Sequence, residues 1–380
     1  MSEKIRVAVL FGGASGEHEV SLVSAASIMD ALSKEKYETL PVGITKEGRW
    51  FTGGDPLQIL RMGESDGVTE RAFMSPDPAM KGIVVLREAG GNELAFDRFI
   101  PVDVIFPVLH GPFGEDGTVQ GLFELSRIPY VGAGVLASSC GMDKIVMKKL
   151  FREAGLPVAE GVAFTRNEWK ERGIEIMVRL EEELGYDFFI KPANLGSSVG
   201  ISKAHNREEL TRGIDEACTF DFRVLVEKAV PLAREVECSV LGNESPLASV
   251  PGEIIPCNEF YDYEAKYIAG KSQTLAPADL PAEVSEKIRD LSVRAFKALQ
   301  CEGMARVDFL VEKLSHRICL NELNTIPGFT SISMYPKLWA ASGVCYPDLI
   351  DRLINLAFER TAEKEKTLTS MALESDWYKK

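Results

Sequence analysis

A chain of 380 residues, 45% hydrophobic and 26% charged, has the makeup of a globular protein with room for two or three domains and a substantial core. Its net charge of −14 argues against nucleic acid or an anionic membrane as partner, and no apolar run reaches the roughly 18 residues a membrane span needs. Seven cysteines without metal-ligand spacing read as reduced thiols of a cytoplasmic protein, and four histidines make a His-based zinc site a poor fit.

Met1–Lys4 leads straight into a strand, with no signal peptide between. Ile5–Phe11 reads as a buried strand, followed by a turn at Gly12–Gly16 and a helix near Val20–Leu32, the opening of an open α/β unit. The glycines do not spell GxGxxG, which argues against a dinucleotide site. Glu17 sits where an acid either complements a helix N-terminus or faces a ligand, and both readings stand. Residues 46–100 read as surface insertion with one strand, Gly82–Leu86. Val102–Leu109 is a strand emptying into the loop His110–Gly117. Ligands of open α/β sheets bind beyond the carboxyl ends of strands, so this loop and the Gly12 turn should flank one crevice. His110 alone reads as a loop hydrogen-bonder.

The i+4 spacing of Met142, Val146, Leu150 and Ala154 predicts one helix over Ser139–Ala154, with Lys144 exposed and Gly155 as its stop. A helix over Glu168–Leu184 and a strand over Tyr186–Lys191 follow. Lys191–Gly200 (KPANLGSSVG) is a small-residue loop whose backbone N–H groups could approach phosphate oxygens, although it is not a Walker A loop. Val224–Val230 is an apolar strand carrying Glu227 and Lys228, read as a linker between lobes. Glu235–Leu241 starts another strand. Pro256–Pro281 is a long loop with three tyrosines and a phenylalanine, read as a lid that docks. Glu283–Leu299 is an amphipathic helix.

Met304–Val311 and Arg317–Leu323 read as a hairpin. Alternation puts Arg306 with Asp308 on one face, and Glu322 with Asn324 on one face. Acids on a hairpin can simply be a solvated sheet face. Carboxylates brought close would instead raise each other's pKa unless a cation lies between them, and an all-oxygen cluster of few charges suits Mg²⁺ with phosphate oxygens as remaining ligands. The Gly/Pro turn Asn324–Ser331 places backbone N–H donors beside the acids, as anions and oxyanions require. Helices near Met334–Ser342 and Pro347–Glu363 and a weakly ordered tail over Thr367–Lys380 complete the chain.

Five stretches, in order, are GGASGEHEVS, HGPFGEDGTVQG, KPANLGSSVG, EFYDYEAKY and RVDF…NELNTIPGFTS. Together they resemble the D-alanine–D-alanine ligases of the ATP-grasp superfamily, over nearly the whole chain from Phe11 to about Leu356. The resemblance implies an α/β, ATP-grasp fold with an N-terminal open parallel α/β domain over residues 1–137. A central lobe over 138–228, a C-terminal lobe over 229–365 with lid and metal site, and a tail over 366–380 would follow. It implies ATP-dependent ligation of two D-alanines through an acyl phosphate for peptidoglycan synthesis, in the cytoplasm, by a homodimer that binds neither nucleic acid nor membrane. ATP and two Mg²⁺ ions, with Mn²⁺ as the alternative, are the implied cofactors.

Position by position, Asp308, Glu322 and Asn324 match metal ligands. Lys144, Lys191 and Ser198 match groups on the ATP phosphates, Glu227 and Lys228 the adenine hinge, Glu235 the ribose contact, and Lys266 a lid lysine on the transferred phosphate. Glu17, linked to Ser197 and Tyr267, matches the carboxylate that holds the first substrate's ammonium, with His110 on the substrate side. Arg306 and the Gly328 N–H match the oxyanion-stabilising pair, and Ser333 with the Met334 backbone the grip on the second substrate's carboxylate. Met334 departs from the pattern where a leucine would be unremarkable, and the 46–100 stretch resembles the longer family members. A D-alanine–D-lactate or other ATP-grasp carboxylate–amine ligase is the alternative within enzymes, and the Tyr267-bearing lid resembles the dipeptide makers. A nucleotide-binding regulator without catalysis is a further alternative, for which damage at Arg306, Asp308 or Glu322 would be expected; all three are intact.

Overall fold

The computed structural model of the protein describes residues 4–63, 70–90, 93–255, 273–330 and 332–368. Strand Ile5–Gly12, apolar on both faces, lies between Tyr37–Ile44 and Val104–Val108 in parallel register, as fully buried parallel strands do. Helix His18–Ala31 packs back on this sheet. The expectation of surface insertion after residue 46 is corrected. Trp50–Thr52, Glu70–Met74, Gly82–Gly90 and Glu93–Pro101 continue the same sheet antiparallel, giving seven strands in mixed orientation. The physical reason is alternation: Ala72, Met74, Ile83 and Val85 are buried on one side, while Phe73, Phe96 and Phe99 stay exposed on the other.

A second, four-stranded antiparallel sheet has the order Ser202–Ala204, Phe188–Pro192, Arg223–Lys228, Gly161–Thr165. Helices Arg166–Leu184 and Arg207–Phe220 share its core through Leu180, Leu210 and Ile214. Arg223–Lys228 is thus an interior strand of this sheet, and the chain passes from its end to the third sheet at Ala233. The first helix begins with a capping box, Thr165 receiving the Glu168 N–H while Glu168 receives the Thr165 N–H.

The third sheet runs Gln273–Leu275, Gly252–Ile255, Ala233–Gly242, Gly303–Glu312, Ile318–Asn324, with Leu247–Ala248 pairing off Ala233–Gly242. Helix Ala282–Ala298 buries Ile288, Leu291, Ala295 and Phe296 against it. Helices Met334–Ala341 and Tyr346–Glu365 close the chain. They share one core with the first sheet: Val7, Val9, Phe106 and Val108 pack with Phe329, Tyr335, Trp339 and Leu353. Each such side chain contributes about 1.5–3 kcal/mol on burial, so this shared core ties the two sheets firmly.

The single helix expected over Ser139–Ala154 is two helices, Val135–Met142 and Lys144–Glu153, broken at Asp143. Asp143 takes an extended conformation and accepts N–H bonds from Ile145 and Val146, the usual work of an N-cap, and its other oxygen pairs with Arg223. The apolar period runs straight through the break because a cap resets the backbone without disturbing which residues are buried. Among the described residues no helix is long and apolar enough to cross a membrane. Residues 256–272, with Lys266 and Tyr267 of the expected lid, and 369–380 of the expected tail lie outside the described residues.

Candidate active site

The three sheets surround a cleft of about 1330 Å³. Its floor is the hairpin Gly303–Glu312 and Ile318–Asn324. The register sets Arg306 opposite Asn324 and Asp308 opposite Glu322, so the four side chains expected together are together. Asp308 receives both prongs of the Arg306 guanidinium at 2.7 Å and the Asn324 amide at 2.8 Å. The neighbouring strand adds Glu237, opposite Asp308, whose carboxylate lies 3.1 Å from Arg306 Nε. Burial alone would lower the Arg306 pKa, yet Asp308 and Glu237 hold it well above its ordinary value. Sequence reading misses Glu237. Its only signal is the alternation Glu235, Glu237 on one strand, and its partners lie about 70 positions on.

Asp308, Glu322 and Asn324 all line the cleft and carry hard oxygen donors of the kind a divalent cation takes. The Asp308 oxygens accept from Arg306 and Asn324, and among the described residues no group of three or more His, Cys, Asp or Glu is placed to hold a metal ion.

The rear wall carries buried cations. Lys144 is 7% exposed, against the expectation of an exposed residue, because the break at Asp143 turns it inward; its Nζ donates to the Leu195 carbonyl at 2.5 Å. Lys191 ends strand Phe188–Pro192 and lies 2.8 Å from one oxygen of Glu227, with Asn321 Oδ1 at 3.1 Å. The other Glu227 oxygen lies 2.7 Å from Lys148, one helical turn beyond Lys144. Burial would raise the Glu227 pKa, but the two ammonium groups outweigh it and hold it down to about 2. Burial likewise opposes the charge on Lys191, and Glu227 and Glu322 restore it, so its pKa is raised. Sequence reading misses Lys148 too, although i+4 spacing from Lys144 is a usable signal. Glu227 and Lys228 do not line the cleft: the first is enclosed by its lysines, and the second is half exposed with its N–H on the Glu160 carbonyl.

Over the floor runs the loop Leu195–Gly200. Ser197 and Ser198 hold left-handed backbone (φ 49° and 60°), a conformation L-residues adopt at some strain and one that turns successive N–H groups to a common side. Ser197 donates a short hydrogen bond to Glu17. Glycines crowd that carboxylate: a Cβ at Gly196 would sit 2.8 Å from Glu17 Oε2, and one at Gly111 2.9 Å. Glu17 starts helix His18–Ala31, oriented by Ser15, whose hydroxyl receives the Glu17 N–H at 3.2 Å and donates to the His110 carbonyl at 2.7 Å.

His110 is buried and donates through Nδ1 to the Ile326 carbonyl at 3.1 Å; burial lowers its pKa, keeping the ring neutral. Glu115, partly buried in the cleft wall, accepts the Gly111 N–H at 3.0 Å, and desolvation together with the negative Glu17 pushes its pKa up to about 8. Beyond the floor, Gly328 stands where a Cβ would meet Ser333 Oγ at 2.9 Å. Ser333 accepts the Thr330 N–H at 3.0 Å and begins helix Met334–Ala341, while the Met334 side chain is buried against Ile254 and Leu338. Glu235 also lines the cleft.

Comparison with known proteins places these features in context. Residues 6–133 match the family model "D-ala D-ala ligase N-terminus", and residues 150–355 match "D-ala D-ala ligase C-terminus". The chain is 50% identical over 370 residues to a D-alanine–D-alanine ligase of Natranaerobius thermophilus, covering 97% of this chain and 99% of that protein. It is 53% identical over 363 residues to one of Thermoanaerobacter sp. strain X514, covering 95% and 99%. Among solved structures, the VanG D-Ala:D-Ser ligase of Enterococcus faecalis matches with TM-score 0.82 and 37% identity, covering 93% of this chain and 100% of that one. The D-alanine–D-alanine ligase of Coxiella burnetii matches with TM-score 0.81 and 36% identity, covering 96% and 97%.

Proposed function

This chain belongs to the D-alanine–D-alanine ligase family, with the ATP-grasp fold and ATP-dependent, ADP-forming ligation of two D-alanines for peptidoglycan synthesis, and on that premise we propose how its cleft divides the work. ATP use and a divalent metal go with the family. The two-ion count, Mg²⁺ as the ion with Mn²⁺ as the alternative, a cytoplasmic location and a homodimer are parts of the proposal. So are lobes over residues 1–137, 138–228 and 229–365 and a tail over 366–380.

The observation that carries the proposal is the convergence of Arg306, Asp308, Glu322 and Asn324 on one floor, facing the Glu17–Ser197 pair across one cleft. Asp308, Glu322 and Asn324 would hold the metal, which would supply positive charge against that of the ATP phosphates. Lys144 and Lys191 face the phosphates, with the Ser198 backbone beside them. Glu235 takes the ribose, and the strand end at Glu227 and Lys228 borders the adenine. Lys266 reaches the transferred phosphate from the lid.

Glu17 holds the ammonium of the first D-alanine, kept in place by Ser197 and, from the lid, Tyr267, with the neutral His110 beside the substrate. The carboxylate of that D-alanine attacks the γ-phosphorus, giving an acyl phosphate and ADP. Ser333 and the Met334 N–H hold the second carboxylate, so that the second amine, uncharged, attacks the acyl carbon. Arg306 and the Gly328 N–H then stabilise the oxyanion until phosphate leaves. Arg306 is suited to this because its charge is fixed by the acids around it.

Turnover measured against Mg²⁺ concentration tests the floor. Asp308→Asn and Glu322→Gln are expected to lower kcat by about 10²–10³-fold, the scale of losing an electrostatic group aimed at the transition state. Wild-type turnover and metal dependence in both would remove the metal role from these residues.

A further inference from the structure

The oxyanion donor assigned to Gly328 lies on an irregular loop, yet loops are poor places to hold a donor to within tenths of an ångström. The peptides on either side of it are pinned from outside the ligase hairpin. Two residues before, the Ile326 carbonyl receives His110 Nδ1–H at 3.1 Å. One residue after, the Phe329 N–H donates to Ser24 Oγ at 3.4 Å, and the Phe329 carbonyl receives the Tyr346 hydroxyl at 2.8 Å. Ser24 lies on the first helix and His110 on the loop after strand Val104–Val108, so two of the three pins come from the first sheet's side of the cleft. The Phe329 ring is buried in the core shared by the first sheet and the final helices, 6.2 Å from Phe106 between centroids.

We infer that Ser24 and Tyr346, which do not line the cleft, are positioning residues for the oxyanion hole: they fix the Phe329 N–H and carbonyl, as His110 fixes the carbonyl of Ile326, and so set where the Gly328 N–H points. The N-terminal sheet thereby does more than hold the first substrate; it templates a donor used in the later, amine-attack step. This rests on the proposed oxyanion role of Gly328 and Arg306. A misplaced donor weakens transition-state binding while leaving ground-state contacts intact.

The test compares wild type, Ser24→Ala and Tyr346→Phe for kcat, for KM of ATP and D-alanine, and for the inhibition constant of a phosphinate dipeptide analogue, whose tetrahedral phosphorus carries the oxygens of the intermediate. Each variant is expected to lose about tenfold in kcat with both KM values within about twofold, and to bind the analogue weaker by the factor lost in kcat. Tyr346 is partly exposed and loses only a hydroxyl, so it keeps the test valid if Ser24→Ala does not fold. Unchanged kcat in Tyr346→Phe, or a fall in kcat with unchanged analogue affinity, overturns the inference. Arg306→Lys separates the two levels. If it weakens the analogue and the two positioning variants do not, the oxyanion reading stands and the template falls; if it too leaves analogue affinity intact, the oxyanion reading itself is wrong.

Discussion

Lys148, Glu227 and Lys191 lie within salt-bridge distance in a buried row, with Glu227 shared between the two cations and Glu322 adding to the field at Lys191. Buried charge is tolerated only where neighbours balance it. Glu227→Gln would remove the carboxylate that two buried ammonium groups share and should destabilise the fold by about 3–5 kcal/mol, read from chemical denaturation. The pH dependence follows from the same pair. The Glu227 pKa is held at about 2 in the folded chain against 4.5 for the free group, so the folded state binds fewer protons. Its stabilisation is fully present above pH 4.5 and is lost as pH falls towards 2. Melting temperature should therefore drop more steeply over that window in wild type than in Glu227→Gln, and parallel curves would show that the pair is not what couples stability to acid. At the same scale, Gly196 is needed for its missing side chain. Gly196→Ala puts a methyl 2.8 Å from Glu17 Oε2 and should raise KM for D-alanine by about tenfold with KM for ATP little changed.

Elements made of local chemistry are legible in the sequence. The hairpin floor, the glycine loops at Gly12 and His110, and the loop after Lys191 each rest on alternation, turn residues or small side chains within a dozen positions, and all lie where expected. What the sequence hides depends on distant partners. Glu237 joins Arg306 only because two strands pair across about 70 positions, and Lys144 looks exposed until Asp143 breaks its helix. Of the strands between residues 46 and 100, only the one starting at Gly82 is legible in the sequence; the others escape because one of their faces is bare, which blurs the hydrophobic signal. The break itself offers a test. Asp143→Ala removes an N-cap and the partner of Arg223, so it should cost about 1–3 kcal/mol of stability and, by loosening Lys144, raise KM for ATP. A stable variant with unaltered KM would mean that Lys144 is held by the Leu195 carbonyl alone.

Across the whole molecule, three sheets that are separate in sequence present their functional ends to one space. A chain of net charge −14 thereby offers lysines and an arginine to one cleft, which is a distribution that composition cannot reveal. The order of the five motif stretches makes the family legible, whereas the shared core between the first sheet and the last helices, and with it the bracing of the Gly328 loop, appears only when the chain is folded. The central claim is that this one cleft activates a D-alanine carboxylate with ATP and delivers it to a second D-alanine. It is tested most directly by measuring phosphate release from ATP and Mg²⁺ with D-alanine, with L-alanine, and with D-alanine plus D-lactate, and identifying the product by mass. The account predicts phosphate release that requires D-alanine, equal in amount to D-alanyl-D-alanine formed. An ester with D-lactate as the main product, or ATP binding without turnover, would contradict it.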